Sequence, residues 1–141
     1  MLSSATAGAS GVETYSCTAF SYTGPEKIFE LVKPSPGRLE VTLSTSIAEL
    51  DLLLSDDPTF DPVTNPVCSY RGDDYLLLDN ASAGTYYIMV DGRSGANGSF
   101  DLSVRCNNEP DCASAQTITC DQIVNGNTST GADNVAAYPC G

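Results

Sequence analysis

Five aspartates, Asp51, Asp56, Asp57, Asp91 and Asp101, stand at strand ends or near loops. Hard carboxylate oxygens presented from loops are the ligands that calcium takes. The competing reading is turn chemistry, because Asp-Pro and Asp-Asp-Pro turns such as Asp56-Asp57-Pro58 form without any metal. No EF-hand or nonapeptide repeat accompanies these aspartates. Other chemistry is scarce. The chain has no histidine, which removes Ser-His-Asp and Cys-His arrangements. Paired carboxylates can act as acid and base, but among 18 acidic residues such pairs arise by chance. The expectation is therefore a chain that is not an enzyme, with no catalytic residue and calcium as its one candidate cofactor.

Six cysteines, Cys17, Cys68, Cys106, Cys112, Cys120 and Cys140, sit in a small acidic chain rich in Thr, Ser, Gly and Asn. No CxxC occurs, and there is no histidine to complete a mixed zinc site. Disulfides in an oxidising compartment are expected, with the connectivity left open among about 15 possibilities. Three Asn-x-Ser sequons begin at Asn80, Asn97 and Asn127, each in an expected turn or linker from which a glycan can project. Tyr70, Tyr75, Tyr86 and Tyr87 are candidates to line a face for surface glycans, against the commoner role of strand tyrosines as half-buried packing.

The elements that must position these residues read as β throughout. Glu26–Lys33 is a short apolar strand entered through Gly24-Pro25. Arg38–Ser44 alternates, with Leu39, Val41 and Leu43 on one face, and Glu49–Ser55 places Leu50, Leu52 and Leu54 in period two. Residues 56–65 form a loop and Val67–Tyr70 a short strand. Tyr75–Asp79 is a strand that turns at Asn80–Gly84. Thr85–Val90 is built of aromatic and β-branched residues and gives the strongest strand signal. A glycine-rich hairpin, Asp91–Gly98, leads to Ser99–Cys106, where Phe100, Leu102 and Val104 are expected inward. No helical periodicity is sustained, and short strands with regular turn signals predict a β-sandwich.

The two ends of the chain repeat one another. Ser4–Cys17 reads SATAGASGVETYSC and Asn127–Cys140 reads NTSTGADNVAAYPC. The offset is a constant 123 positions, the distance from Cys17 to Cys140, and Gly8, Ala9, Val12, Tyr15 and Cys17 recur as Gly131, Ala132, Val135, Tyr138 and Cys140. The second copy is preceded by a strand-like segment, Thr117–Gly126, that the first copy lacks. The expected organisation is a β-sandwich module over 1–106 missing its first strand, a linker over 107–112, and an extension over 113–141. The extension holds a donor strand, with Thr117, Ile118, Cys120, Ile123 and Val124, and then the start of a next repeat.

Gly24–Phe29 (GPEKIF), Glu49–Leu54 (ELDLLL), Ala83–Gly92 (AGTYYIMVDG) and Gly98–Val104 (GSFDLSV) occur in this order. The series resembles bacterial pre-peptidase C-terminal domains, and AGTYYIMVDG is its most specific block. The resemblance covers about Val12 to Cys106 and implies a jelly-roll-like antiparallel β-sandwich. Such domains are appended to secreted proteases or repeated in surface proteins, and some similar domains bind calcium. Members usually carry a strand like Thr117–Gly126 ahead of the Tyr-x-Cys of Tyr15–Cys17; here it stands at the C-terminus.

Two functions follow as expectations. In the first, the chain is the subunit of an extracellular filament or stalk, a homo-oligomer built head to tail by donation of the C-terminal strand. In the second, it is a calcium- or glycan-binding module that tethers a secreted bacterial protein. The formal charge of −12 repels nucleic acid and anionic membranes, and no apolar run is long enough to enter a membrane.

Overall fold

The computed structural model describes residues 1–108 and Cys120. Among them are eight strands and no helix: β1 (Leu2–Ala5), β2 (Lys27–Lys33), β3 (Gly37–Ser44), β4 (Leu50–Ser55), β5 (Tyr70–Gly72), β6 (Tyr75–Ala81), β7 (Gly84–Gly92) and β8 (Ser99–Asn108). They form two four-stranded sheets, ordered β1-β8-β3-β6 and β2-β7-β4-β5. Every pairing is antiparallel. This is the antiparallel β-sandwich that the alternating sequence predicts.

The period-two residues meet between the sheets. Leu39, Val41 and Leu43 of β3 pack with Leu50, Leu52 and Leu54 of β4, Tyr86, Ile88 and Val90 of β7, and Phe100 and Leu102 of β8. Each fully buried side chain of this kind contributes about 2 kcal/mol. Phe29 meets Phe100 edge to face, with centroids 6.2 Å apart, and so ties β2 to β8 across the interior.

All six residues of β4 are buried, because the second sheet is covered on both faces. Its outer face carries a layer of loops rather than a third sheet. Val12, Tyr15 and Tyr22 of the N-terminal loop, with Phe60 and Cys68 of the β4–β5 connection, pack over Leu53 and Met89. A strand buried on both sides reads as a near-continuous apolar run, which is the form of LDLLL. Val12–Cys17 therefore forms loop, not strand.

Several boundaries differ from expectation. β1 was not anticipated, since LSSA offers a single large apolar residue. The short strand expected at Val67–Tyr70 forms instead at Tyr70–Gly72. β7 runs on through Asp91 and Gly92, and β8 takes in Asn107 and Asn108, the first residues of the expected linker. Val104, expected inward, is 36% exposed, although Phe100 and Leu102 on the same face are buried. The hairpin between β7 and β8 turns at Ser94 and Gly95, both at positive φ, with Ala96 N–H donating to Arg93 O, the pattern of a type I′ turn. Gly92 closes the AGTYYIMVDG block for a steric reason: a Cβ there would lie 1.9 Å from the carbonyl oxygen of Ala96.

Candidate functional site

Asp51 and Asp91 stand directly opposite one another on β4 and β7, under the loop layer and with no exposed surface. Like charges in this cross-strand position repel, and each is handled differently. Asp51 Oδ2 accepts from Tyr22 Oη at 2.7 Å and from Arg71 Nε and Nη2 at 3.1 and 2.8 Å. Arg93 Nε lies 3.1 Å from the same oxygen as an ion pair. Both guanidinium groups also sit over the ring of Phe20, at 4.7 and 4.8 Å from its centroid. Arg71 continues to Asp73, and Arg93 to Glu49 at 3.2 Å. Asp51 Oδ1 is buried with no hydrogen-bond partner among the described residues.

Among the described residues Asp91 has no cationic partner. Its Oδ2 accepts from Tyr15 Oη at 2.7 Å and its Oδ1 from the Gly92 N–H at 2.7 Å. Burial pushes its carboxyl up to about 6, with the charges of Glu26 and Asp51 adding to the rise and the two hydrogen bonds opposing it. The Tyr15 hydroxyl is pushed well above its ordinary range by burial and then by Asp91. Tyr22 rises to about 12, chiefly through burial and its bond to Asp51. Tyr15 and Tyr22 themselves meet edge to face at 5.4 Å. The arrangement pins the N-terminal loop to the second sheet.

This predicts an acid-side dependence of stability. The Asp91 carboxyl is raised from its ordinary 3.8 to about 6 in the folded chain. Between those values the folded state binds more protons, so stability falls as pH rises through the window, by about 3 kcal/mol in full. Denaturant titrations at pH 4 and pH 7 should show that loss, and Asp91→Asn should remove most of it. An equal slope in Asp91→Asn would assign the dependence to other groups.

The other aspartates of the calcium expectation lie apart. Asp56 accepts from Ser69 and Asp101 from Ser3. Asp57 caps Thr59 through its backbone N–H and its hydroxyl, at 2.7 Å each. The Thr59 hydroxyl, with its N–H, holds the Asp57 carboxyl below its usual range. Among the described residues no three Asp, Glu or Cys side chains gather as a metal site. The tyrosines divide: Tyr70 and the buried Tyr86, which donates to Ser82 O, line one hollow together with Asp56 and Leu77, whereas Tyr87 stacks on Phe60 and Tyr75 is exposed.

Among the described residues a disulfide, Cys17–Cys68, joins the N-terminal loop to the β4–β5 connection across 51 residues. Cys106 and Cys120 are exposed. Asn97 is exposed in the β7–β8 hairpin; Asn80 is exposed too, but within β6 rather than in the expected turn. Cys112, Cys140, Asn127 and the donor-strand residues Thr117, Ile118, Ile123 and Val124 lie outside the described residues, as does most of the expected extension.

A second feature lies at the sandwich's open side. β1 pairs with β8 only over Ser99–Leu102, while β3 pairs with β8 from Asp101 to Asn108 on its other side. Alongside Ser103–Asn108, no strand covers the β1 side of β8 among the described residues. There the two sheets part into a groove of about 340 Å³ between Met1, Leu2, Leu102 and Val104 on one side and Phe29, Glu30, Leu31 and Ile88 on the other, apolar apart from Glu30. Leu2 is 51% exposed. Apolar surface in a groove beside a free strand edge invites another strand.

No family model matches the chain, and no curated protein matches it. Among solved structures it is similar to PliG from Aeromonas hydrophila, a periplasmic lysozyme inhibitor of g-type lysozyme. The two are 13% identical, the match covers 74% of this chain and 83% of that one, and the TM-score is 0.45. Inhibition of lysozyme is a property of that protein. Among the described residues no helix is long and apolar enough to cross a membrane.

Proposed function

We propose that the chain is the structural subunit of an extracellular homopolymer that grows head to tail by strand donation. One conjunction carries this reading: the sequence repeats its opening stretch at the far end, behind a strand-like segment, and among the described residues β8 has a half-covered edge over a largely apolar groove. A donated strand satisfies a row of backbone groups and fills alternate side-chain pockets together. Because donor and acceptor surfaces differ, such contacts extend into fibres unless the rotation closes a ring. Thr117, Ile118, Cys120, Ile123 and Val124 belong to the donor. The Cys17–Cys68 bridge suits an oxidising compartment, and the resemblance to pre-peptidase C-terminal domains suits a module of secreted or surface proteins. Asn80 and Asn97, both exposed, are positions where glycans would project.

Negative-stain microscopy of the full chain tests this. Long fibres are expected, and excess synthetic Thr117–Asn125 peptide should shorten them by occupying acceptor ends. Compact particles at every concentration, unaffected by the peptide, would overturn the reading.

A further inference from the structure

We propose that the hollow between β5 and β6, lined by Tyr70, Leu77, Asp56, Asp79 and Asn80, is a binding site for a neutral saccharide. This goes beyond the strand-donation reading and does not depend on it.

The topology opens the hollow. β5 and β6 are the edge strands of the two sheets on this side of the sandwich, linked through Asp73 and Asp74. β5 is short, and its pairing with β4 ends at Tyr70 opposite Leu54. β6 continues along β3 as far as Ala81. Beyond Tyr70 the second sheet therefore has no edge strand to match β6 among the described residues. The space left is about 320 Å³, at the small end of the range for small-molecule sites, roughly 300 to 1,000 Å³.

The walls are held by bonds of their own. Buried Tyr86 donates from its hydroxyl to Ser82 O at 3.0 Å, which fixes the β6–β7 turn. The Ser69 hydroxyl donates to Asp56 Oδ1. Arg38 reaches Asp79 Oδ1 through Nε at 3.0 Å and Nη2 at 2.9 Å. A site ordered in advance loses less freedom when a ligand binds. In both carboxylates only Oδ1 is engaged. Among the described residues the Oδ2 atoms of Asp56 and Asp79, the Asn80 amide and the Tyr70 hydroxyl make no hydrogen bond.

The ligand class follows from this division. Tyr70 and Leu77, 40% and 42% exposed, put apolar surface beside the unpartnered polar atoms. A pyranose is divided in the same way, with C–H groups on a ring face and hydroxyls around its edge. Ionised carboxylates only accept hydrogen bonds, and sugar hydroxyls donate to them; the Asn80 amide can both donate and accept. An anionic sugar is repelled by Asp56, by Asp79 and by the net charge of −12. A cation is the poorer match, because Arg38 already meets the charge of Asp79. The sugar has two sources. Asn80-Ala81-Ser82 is a sequon, so the ring belongs either to a glycan carried on Asn80 or to another molecule.

The test measures retention of the full-length chain on surfaces carrying cellobiose, maltose or diacetylchitobiose. Surfaces carrying sialyllactose or a trimethylammonium group are the comparison. Retention is expected on at least one neutral sugar and on neither charged surface. Tyr70→Ala should weaken it at least about tenfold, whereas Tyr70→Phe, which keeps the ring, and Tyr75→Ala, outside the hollow, should bind as wild type. Leu77→Asp is the second variant at an exposed position and should also weaken binding; an unchanged denaturation midpoint shows that each variant is folded. If a glycan on Asn80 fills the hollow, Ser82→Ala, which removes the sequon, should be retained and wild type should not. If another molecule supplies the sugar, both should be retained.

Failure of every neutral sugar to retain either wild type or Ser82→Ala would overturn the site. Retention that survives both Tyr70→Ala and Leu77→Asp would place sugar binding elsewhere and overturn this hollow. Retention on trimethylammonium or sialyllactose that Tyr70→Ala abolishes, with none on the neutral sugars, would overturn the saccharide as its ligand.

Discussion

Replacing Cys17 and Cys68 together by serine should lower stability by about 4 kcal/mol, the chain-entropy value for a loop of this size, the two residues being 51 apart. The effect is large because of what the bridge closes. Cys17 lies in the loop layer and Cys68 beside Leu54, whose carbonyl accepts from Ser69 N–H at 2.8 Å. Ser16 reinforces the joint, its hydroxyl accepting from Cys68 N–H at 3.0 Å and donating to Cys68 O at 3.1 Å. Without the bridge, the layer over Leu53 and Met89 depends on those bonds, the tyrosine–aspartate pair and apolar contact. Guanidinium titrations of the double variant and of reduced wild type should agree, with a midpoint well below that of the oxidised protein. A loss under about 1 kcal/mol would mean that the loop layer holds without the bridge and that reduction returns little entropy to the unfolded chain. Hydrogen exchange should then localise the change: protection falls over Val12–Tyr22 first, and β3 and β8 in the opposite sheet keep theirs.

The sandwich itself was legible because its interior strands obey period two. Leu39, Val41, Leu43, Leu50, Leu52 and Leu54 all face the core as their spacing predicts. The loop layer was not legible, since a loop that packs on a sheet has no periodicity; its signal is indirect. LDLLL is apolar at adjacent positions, which requires cover on both faces. Asp51 within that run requires cations or hydrogen-bond donors, and the chain holds only four arginines. Arg71, Arg93, Tyr22 and Phe20 carry no sequence signal, and Tyr15 shows only as a repeated position, because their partnership depends on the β4–β5 and β4–β7 registers and not on neighbours in sequence. The disulfide was expected as a class, but its pairing is a property of the loop path. β1 gave no pattern of its own, since only Ser4 and Ala5 of it fall within the repeated stretch.

Substituting Asp51 tests whether the buried carboxylate braces the molecule or only fills space. Asp51→Ala should cost about 3 to 5 kcal/mol, the range for breaking a buried ionic group by removing one partner. Tyr22, with no exposed surface, would lose its acceptor, and a buried hydroxyl left without a partner costs about 1 to 3 kcal/mol by itself. The two arginines keep Asp73 and Glu49 and are partly open to water, which holds the total toward the lower end. Combining Asp51→Leu with Tyr22→Phe and Arg71→Met should recover much of the loss, because apolar groups of similar volume often replace a buried ionic cluster at little cost. A cavity effect alone would not be recovered by changing Tyr22 and Arg71, so the combined variant separates the two causes. The carboxylate opposite supplies a second readout. Asp51 helps to raise the Asp91 carboxyl, so Asp51→Ala removes a neighbouring anion and the Asp91 carboxyl should titrate lower. The fall in stability between pH 4 and pH 7 should then shrink relative to wild type, by linkage. If Asp51→Ala were destabilised yet kept the full wild-type slope, the two carboxylates would be electrostatically independent, and the cross-strand pair would have to be read as two separate anchors for Tyr22 and Tyr15.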